Sequence, residues 1–423
     1  MLPIKNYIDA KKWLKEQGLK QFNSDTVTQT VKEIIFNVRQ NKDAALFAYT
    51  KQFDGCDINA QNIRLTQEEI INAVKQVPSN ILAAMRRAKD NIITYHKRQL
   101  PKNDFTADMQ TGFIYRPVTR AGIYVPGGKA AYPSSVLMCA LPAVVAGVQE
   151  IVMVTPPGKY LNPLTIAAAY ECGVHEIYRV GGAQAIAALA YGTESIKRVD
   201  VITGPGNIYV TTAKKEVYGS VGIDMLAGPS EILIVADNSA NPEYVAADLL
   251  GQAEHDELAQ SILLTTDKQL ALKVNDELIK CLEKSPRKEI ARVSLKNNGA
   301  IVLCENLEQT AELCNLIAPE HLEICVTEYE KLLKKVVNAG AVFLGNYSPE
   351  SLGDYYAGTN HVLPTGGTAR FSSGLGVDTY VKRIGIVNYS SRELKAAAND
   401  IILLAETEEL FAHAESIKVR IKK

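Results

Sequence analysis

Arg120-Ala121-Gly122-Ile123-Tyr124-Val125-Pro126-Gly127-Gly128 opens the stretch that decides the fold. From here to about Gly228, short β-branched runs alternate with alanine-rich helical segments. The runs Glu150–Thr155, Ile177–Val180 and Val199–Thr203 are each bounded by Gly or Pro. Alternation of this kind predicts βαβ units on a parallel sheet. Two of the runs pass directly into glycine turns and then helices, Val180-Gly181-Gly182-Ala183-Gln184 and Thr203-Gly204-Pro205-Gly206-Asn207. Ligands of open α/β sheets bind at that edge, where helix N-termini offer N–H groups to phosphate. Neither turn carries the GxGxxG spacing, so pattern alone leaves each open between a nucleotide site and a plain tight turn.

Downstream, Glu231–Asp237, Ser261–Thr265, Ala300–Cys304 and Ala341–Leu344 repeat the strand grammar, with helices near Pro242–Glu254, Lys268–Lys284 and Leu307–Leu316. A second α/β domain is the simplest reading. Upstream, a helix capped at Asn23-Ser24-Asp25 places Val27, Val31, Ile34, Ile35 and Val38 on one face, and another covers roughly Thr66–His96. The opening residues, with the only Trp at position 13, read as a short amphipathic docking helix. Gly345–Gly376 is rich in Gly, Ser, Thr, Asn and Tyr and lacks periodicity, and a loop that long is usually functional. Val377–Lys423 predicts helices with Ile401, Ile402, Leu403, Leu404, Leu410 and Ile417 buried. That tail is too short for a core of its own and should pack on something else.

A chain of 423 residues has room for two to four domains and a large core. Lys plus Arg number 46 against 47 Asp plus Glu, a net charge of -1, with no basic run, which argues against nucleic acid as a partner. The longest apolar stretch, Val136–Val148, is broken by Pro142 and falls short of the roughly eighteen residues that span a bilayer. A soluble protein with no membrane partner is expected. The N-terminal residues lack the apolar core of a secretion signal. Seven cysteines, odd in number and never spaced CxxC, suit reduced thiols in the cytoplasm.

Metal chemistry is suggested first at Asp248-Leu249-Leu250-Gly251-Gln252-Ala253-Glu254-His255-Asp256. Asn241-Pro242-Glu243 starts the helix that carries it, and Gln252 and His255, three apart, leave the same side near its end. An imidazole and an amide oxygen are acceptable zinc ligands, although Gln is the rarer one. A helix-end His with a satisfied hydrogen bond is the plainer reading of that pair taken alone. Of the six histidines, His255, His321, His361 and His413 are the candidates, with Asp354 in the long loop adding a carboxylate. Glu320 and His321, adjacent after Pro319, are expected to diverge from one turn and to offer a water-activating carboxylate beside a separate proton acceptor, or else a solvated Glu–His pair. Ser230, after Ala227-Gly228-Pro229, is open between holding substrate and capping the next strand.

Taken together, Gly122–Gly128, Gly181–Tyr191, Gly204-Pro205-Gly206-Asn207, Ala227-Gly228-Pro229-Ser230-Glu231, Gln252-Ala253-Glu254-His255, Pro319-Glu320-His321 and Ser348-Pro349-Glu350 through His361-Val362-Leu363-Pro364 resemble the histidinol dehydrogenase family over nearly the whole chain. The resemblance implies a zinc-dependent, NAD-linked four-electron oxidation of L-histidinol through L-histidinal to L-histidine on a homodimer. It implies Gln252, His255, Asp354 and His413 as zinc ligands and Glu320 with His321 as the acid–base pair. It also implies Ser230, His361 and Glu408 as substrate contacts, together with His321 and the metal ligands, and Tyr124, Gln184 and Asn207 as NAD contacts. The fold it implies is α/β, with two Rossmann-like parallel-sheet domains that lack the usual dinucleotide fingerprint and with small helical terminal segments. Its parts would be a helical segment 1–22, a first domain from 23–121 and 230–375, an inserted second domain 122–229, and a helical tail 376–423 swapped across the dimer. The rival reading is a zinc-dependent hydrolase on the same metal site, which would need no nucleotide.

Overall fold

Small glycine-punctuated runs that alternate with alanine-rich helices can bury both faces of a sheet, and 120–223 folds in that way. The structure, a computed structural model, describes residues 2–18, 25–127, 132–158 and 161–422; the predicted cap at Asn23-Ser24 lies outside them. The first elements are β1 (Ile4–Asn6), α1 (Tyr7–Gly18), α2 (Asp25–Asp54), α3 (Gln67–Gln76), α4 (Ser79–Lys97), β2 (Thr111–Pro117) and β3 (Arg120–Tyr124). There follow α5 (Pro133–Ala146), β4 (Glu150–Thr155), α6 (Pro163–Glu171), β5 (Glu176–Arg179), α7 (Gly182–Tyr191), β6 (Val201–Thr203), α8 (Ile208–Val217) and β7 (Gly222–Ile223). The next group is β8 (Glu231–Ala236), α9 (Pro242–Ala253), β9 (Gln260–Thr265), α10 (Lys268–Lys284), α11 (Lys288–Asn298), β10 (Ala300–Leu303), α12 (Leu307–Ile317) and β11 (His321–Cys325). The chain ends with α13 (Tyr329–Leu333), β12 (Ala341–Leu344), α14 (Glu350–Leu352), a π-helical turn at Gly353–Ala357, β13 (Val381–Val387), α15 (Ser391–Thr407) and α16 (Phe411–Ile421).

Packing divides the chain into two units, residues 1–100 with 118–380, and residues 101–117 with 381–423. The first unit holds two parallel sheets, β5-β4-β3-β6-β7 and β1-β10-β9-β8-β11-β12. Side-chain caps set the entry of most crossover helices: Asn162 takes the Leu164 N–H, Asn207 those of Tyr209 and Val210, Asn241 that of Glu243, and Asp267 that of Gln269. Gly204 shows why the turn after β6 needs glycine: φ is +113°, and a Cβ would strike the Tyr124 carbonyl oxygen. The buried Lys214–Asp224 ion pair anchors the same turn, Lys214 Nζ donating to the Gly204 carbonyl at 3.0 Å and the Gly204 N–H to Asp224 at 2.7 Å.

Several expectations need correction. The N-terminal segment is more than a helix, since β1 pairs parallel with β10 at the edge of the six-stranded sheet while Trp13 and Leu14 pack against its core. The helix predicted over Thr66–His96 is two, because the stretch breaks at Val77-Pro78 and proline cannot continue a helix. The expected domain of 23–121 with 230–375 does not describe α2: its Val31, Ile34, Ile35, Val38 and Leu46 share a core with Val180, Ile186, Leu189 and Ile202 of the five-stranded half. His321 and its neighbours, read as a turn, form the interior strand β11.

The second unit is not a purely helical tail. β13 pairs antiparallel with β2, Val381 opposite Pro117 and Val387 opposite Thr111. Ser390 and Glu393 close a capping box at the start of α15, and Glu393 also accepts from Gln110 at 2.6 Å. The tail residues predicted as buried are not: Leu403 is 65 % and Leu404 66 % exposed, while Ala398 and Ala414 are the buried side chains of α15 and α16. Two helices and a two-stranded antiparallel ribbon of this size have no interior to offer those leucines.

Candidate active site

β8 and β11 lie side by side in the six-stranded sheet, and their first residues, Glu231 and His321, are Glu and His rather than aliphatic. The backbone of Glu231 is held on both sides of its Cα. Its N–H donates to Glu320 Oε2 at 2.8 Å, and its carbonyl lies 3.0 Å from His321 Nδ1. A carbonyl can only accept, so His321 Nδ1 carries the hydrogen and Nε2 presents a lone pair. Nε2 is buried without a partner. The expected divergence of Glu320 and His321 is wrong: Glu320 Oε2 stands 3.6 Å from His321 Nδ1, because both side chains fold onto the same neighbouring strand.

Carboxyl groups crowd this imidazole. Glu350 Oε1 is 3.7 Å from Nδ1, and Asp354 Oδ1 is 4.0 Å from Nε2. Asp354 stands in the π-helical turn, a backbone form that recurs at functional sites. His321, Glu350 and Asp354 each place one ligand atom within 4.8 Å of the others. Burial pushes the Glu231 and Asp354 carboxyls up to about 7. Burial, and then the charges of Asp354 and Asp248, raise Glu350 to about 8. Glu320 is raised well above the carboxylate range by burial, its Glu231 hydrogen bond opposing. His321 is held down to about 3 and His361 to about 4, again chiefly by burial. Among the described residues no Lys or Arg pairs with these carboxyls within salt-bridge distance.

The other expected site residues fall into three groups. Gln252 is fully buried at the end of α9 with neither amide atom partnered. His255 follows it on the surface, yet burial still lowers its pKa, and its charge reaches both His321 and His361. His361 is tied to the Asp354 backbone and keeps Nε2 unpartnered. Ser230, half-buried, immediately precedes Glu231. Gln252, His255, His321, His361, Asp354 and Glu320 therefore belong to one unit and most touch one another electrostatically. Tyr124, Gln184 and Asn207 line the carboxyl edge of the five-stranded sheet instead: the Tyr124 hydroxyl accepts the Gly182 N–H at 3.2 Å, Gln184 Oε1 is buried without a partner, and exposed Asn207 caps α8. Glu408 and His413 are exposed residues of the second unit, at the end of α15 and on α16.

Glu231, Asp248 and Glu350 stand in the motifs quoted from the sequence without a role there, and Glu323 was not singled out. Glu323, two residues beyond His321 and so on the same face of β11, accepts the Glu350 N–H at 2.7 Å. Burial and the neighbouring Asp248 raise it well above the usual range, while burial brings Asp248 to about 6. The available signal was Glu323 itself, an acid inside an otherwise aliphatic Leu322–Cys325 run.

A stability test follows from Glu350. Its folded pKa lies above its unfolded value near 4, so its contribution is fully present at low pH and is lost as pH rises through about 8. Metal-stripped wild type should therefore lose stability between pH 6 and pH 8.5 relative to Glu350→Gln, by on the order of 2 kcal/mol. Urea midpoints at the two pH values measure this, and parallel changes in both proteins would refute it.

Buried, mutually repelling acids around neutral imidazoles, beside a parallel sheet with glycine turns at its carboxyl edge, define an α/β enzyme with a site suited to acid–base work at a cation. A model of the histidinol dehydrogenase family matches residues 18–421. The histidinol dehydrogenases of Heliobacterium mobile and Bacillus cereus are 51 % identical over 424 residues and 52 % identical over 402, covering 98 % and 94 % of this chain and 98 % and 93 % of theirs. The crystal structure of histidinol dehydrogenase from Elizabethkingia anophelis is similar with a TM-score of 0.90 at 40 % identity, over 95 % of this chain and 93 % of that one. The chain belongs to the histidinol dehydrogenase family.

Proposed function

We propose that this chain oxidises L-histidinol through L-histidinal to L-histidine, with NAD as electron acceptor and Zn²⁺ as resident metal. The observation that carries the reading is the buried His321 ring, its Nε2 lone pair fixed by the Nδ1–H bond to Glu231, with Glu320 and Glu350 beside Nδ1 and Asp354 beside Nε2. The donor set fits zinc: Gln252 offers an amide oxygen with no other partner, His255 a neutral imidazole and Asp354 a carboxyl, completed by His413 of the partner subunit. The tighter group of His321, Glu350 and Asp354 would occupy the one lone pair suited to proton transfer and leave buried Gln252 without a role, so Asp354 alone is taken from it.

When bound, Zn²⁺ supplies a fixed centre for the substrate's amino and imidazole nitrogens and a positive charge that favours ionised carboxyls around it. His321 Nε2 takes the hydroxyl proton as hydride leaves the carbinol carbon for NAD. The Nδ1–H bond keeps the ring in that tautomer, and the carboxyls within 4.0 Å stabilise the imidazolium once they are ionised. Glu320, oriented by the Glu231 N–H, removes a proton from water so that the retained aldehyde becomes its hydrate, and His321 accepts a proton again in the second oxidation. Ser230, His361 and the partner subunit's Glu408 hold the substrate. Tyr124, Gln184 and Asn207, at the carboxyl edge of the five-stranded sheet, would hold NAD. The hydrolase alternative finds no counterpart among the matched relatives.

The exposed leucines of α15 support a homodimer with a shared site, and seven free cysteines support a reducing, cytoplasmic setting. No helix among the described residues is long and apolar enough to cross a membrane. The direct test is incubation with zinc, histidinol and NAD: histidine should appear with two molecules of NAD reduced for each histidinol consumed. Histidinol that survives with NAD unreduced would sink the reading.

A further inference from the structure

β11 carries an acid that the catalytic reading leaves without a task. Glu323 is 1 % exposed, two residues beyond His321 and so on the same face of the strand. A carboxyl buried in an aliphatic run costs stability unless a particular contact offsets the loss of water. Here that contact is with the backbone of another element: Glu323 Oε1 accepts the Glu350 N–H at 2.7 Å. The first N–H of a helix has no partner inside the helix, and Pro349, which precedes Glu350, supplies no side-chain cap. The cap of α14 therefore comes from β11.

What that cap holds is the piece of chain carrying two of the site carboxyls. α14 runs directly into the π-helical turn, so Glu350–Ala357 is continuous. Its far end is tied to α4, Asn91 Nδ2 donating to the Tyr356 carbonyl at 2.8 Å. Between the two ties it lies on the face of the sheet that His321 and Glu323 share. Phe343, opposite Glu323 on β12, has its ring 6.1 Å from that of His321, and a Cβ on Gly353 would come within 2.6 Å of the same phenyl ring. Glu350 and Asp354, four residues apart, reach opposite sides of the His321 imidazole, 3.7 Å from Nδ1 and 4.0 Å from Nε2. A shift at the Glu350 end carries both away from His321.

We propose that Glu323 is a positioning residue: by holding the Glu350 N–H it fixes where Glu350 and Asp354 stand about His321, and through Asp354 the geometry of the metal ligands. It supplies an acceptor at a set reach rather than a charge, because the bond ends on a backbone N–H. Glutamine offers the same acceptor at the same reach; aspartate keeps the charge and draws it back by one methylene. The proposal rests on the reading that Asp354 is a zinc ligand and His321 the proton acceptor.

The test compares wild type, Glu323→Gln and Glu323→Asp as full chains, each checked for folding by its urea midpoint. Zinc affinity of the metal-stripped proteins is read by competition with a chromophoric chelator, kcat and KM are measured on the zinc-loaded proteins with histidinol and NAD, and crystal structures of the metal-stripped proteins give the Asp354–His321 distance. Glu323→Asp should bind zinc about tenfold more weakly and lose kcat by a similar factor, with KM for NAD unchanged and Asp354 displaced from its place 4.0 Å from His321. Glu323→Gln should match wild type in all three. The reverse order, which would make charge the requirement, overturns the proposal, as do two variants that both match wild type or are equally impaired. If wild type takes up zinc and forms no histidine, the functional reading fails while the zinc titrations still decide Glu323. If wild type takes up no zinc, the crystal structures decide it: Asp354 displaced in Glu323→Asp alone upholds the role, and Asp354 unmoved overturns it.

Discussion

Glu320→Gln is expected to stop the reaction at the aldehyde. Loss of a positioned general base should slow conversion of histidinal to histidine by about a hundredfold to ten-thousandfold, while oxidation of the alcohol, which draws on His321, changes far less. The amide preserves the structure around it, because its carbonyl oxygen can still accept the Glu231 N–H that now lies 2.8 Å from Glu320 Oε2. Zinc content should match wild type, since Glu320 is outside the proposed ligand set. A single-turnover experiment separates the steps: wild type should reduce two molecules of NAD per site without pause, the variant one, followed by a slow phase. Acid formation at the wild-type rate would remove Glu320 from the mechanism.

The expected split between the two steps depends on a feature that sequence reading had inverted. In sequence Glu320 and His321 read as a diverging pair on one turn because they directly follow Pro319. The run His321–Cys325 is nevertheless an interior strand, buried at all five positions, and Glu323 stands in it with Oε1 accepting the Glu350 N–H while burial and the neighbouring Asp248 disfavour its charge. What sequence could show was grammar: the alternation from Arg120 onward announced two parallel sheets, and Gln252-Ala253-Glu254-His255 announced a helix end with ligand chemistry. What it could not show was convergence. Glu231 and His321 are 90 positions apart and meet only because β8 and β11 are neighbours after a crossover through β9 and β10. The strands β2 and β13 escaped notice for the same reason, since each acquires its ladder only from a partner more than 260 residues away in sequence.

The second large effect concerns what the tail does. His413→Asn and His255→Asn are each expected to be nearly inactive and to bind zinc weakly, because each removes one of four proposed ligands. Mixed as unfolded chains and refolded with zinc, they should recover activity. If the tail of one subunit completes the site of the other, each heterodimer has one site with both histidines intact and one with neither. Random pairing then returns about a quarter of wild-type activity. If each tail served its own subunit, every site in the mixture would lack one ligand and nothing would return. The chain's own chemistry favours the crossed arrangement: His413 is exposed on α16, and Leu403, Leu404 and Phe411, all about two-thirds exposed, form apolar surface that a unit of two helices and a two-stranded ribbon cannot cover by itself. A dimer interface would bury that surface and deliver His413 at the same time. Verified heterodimers that remain inactive, with zinc in excess, would refute the crossed arrangement and return the fourth ligand to the chain that carries Gln252, His255 and Asp354.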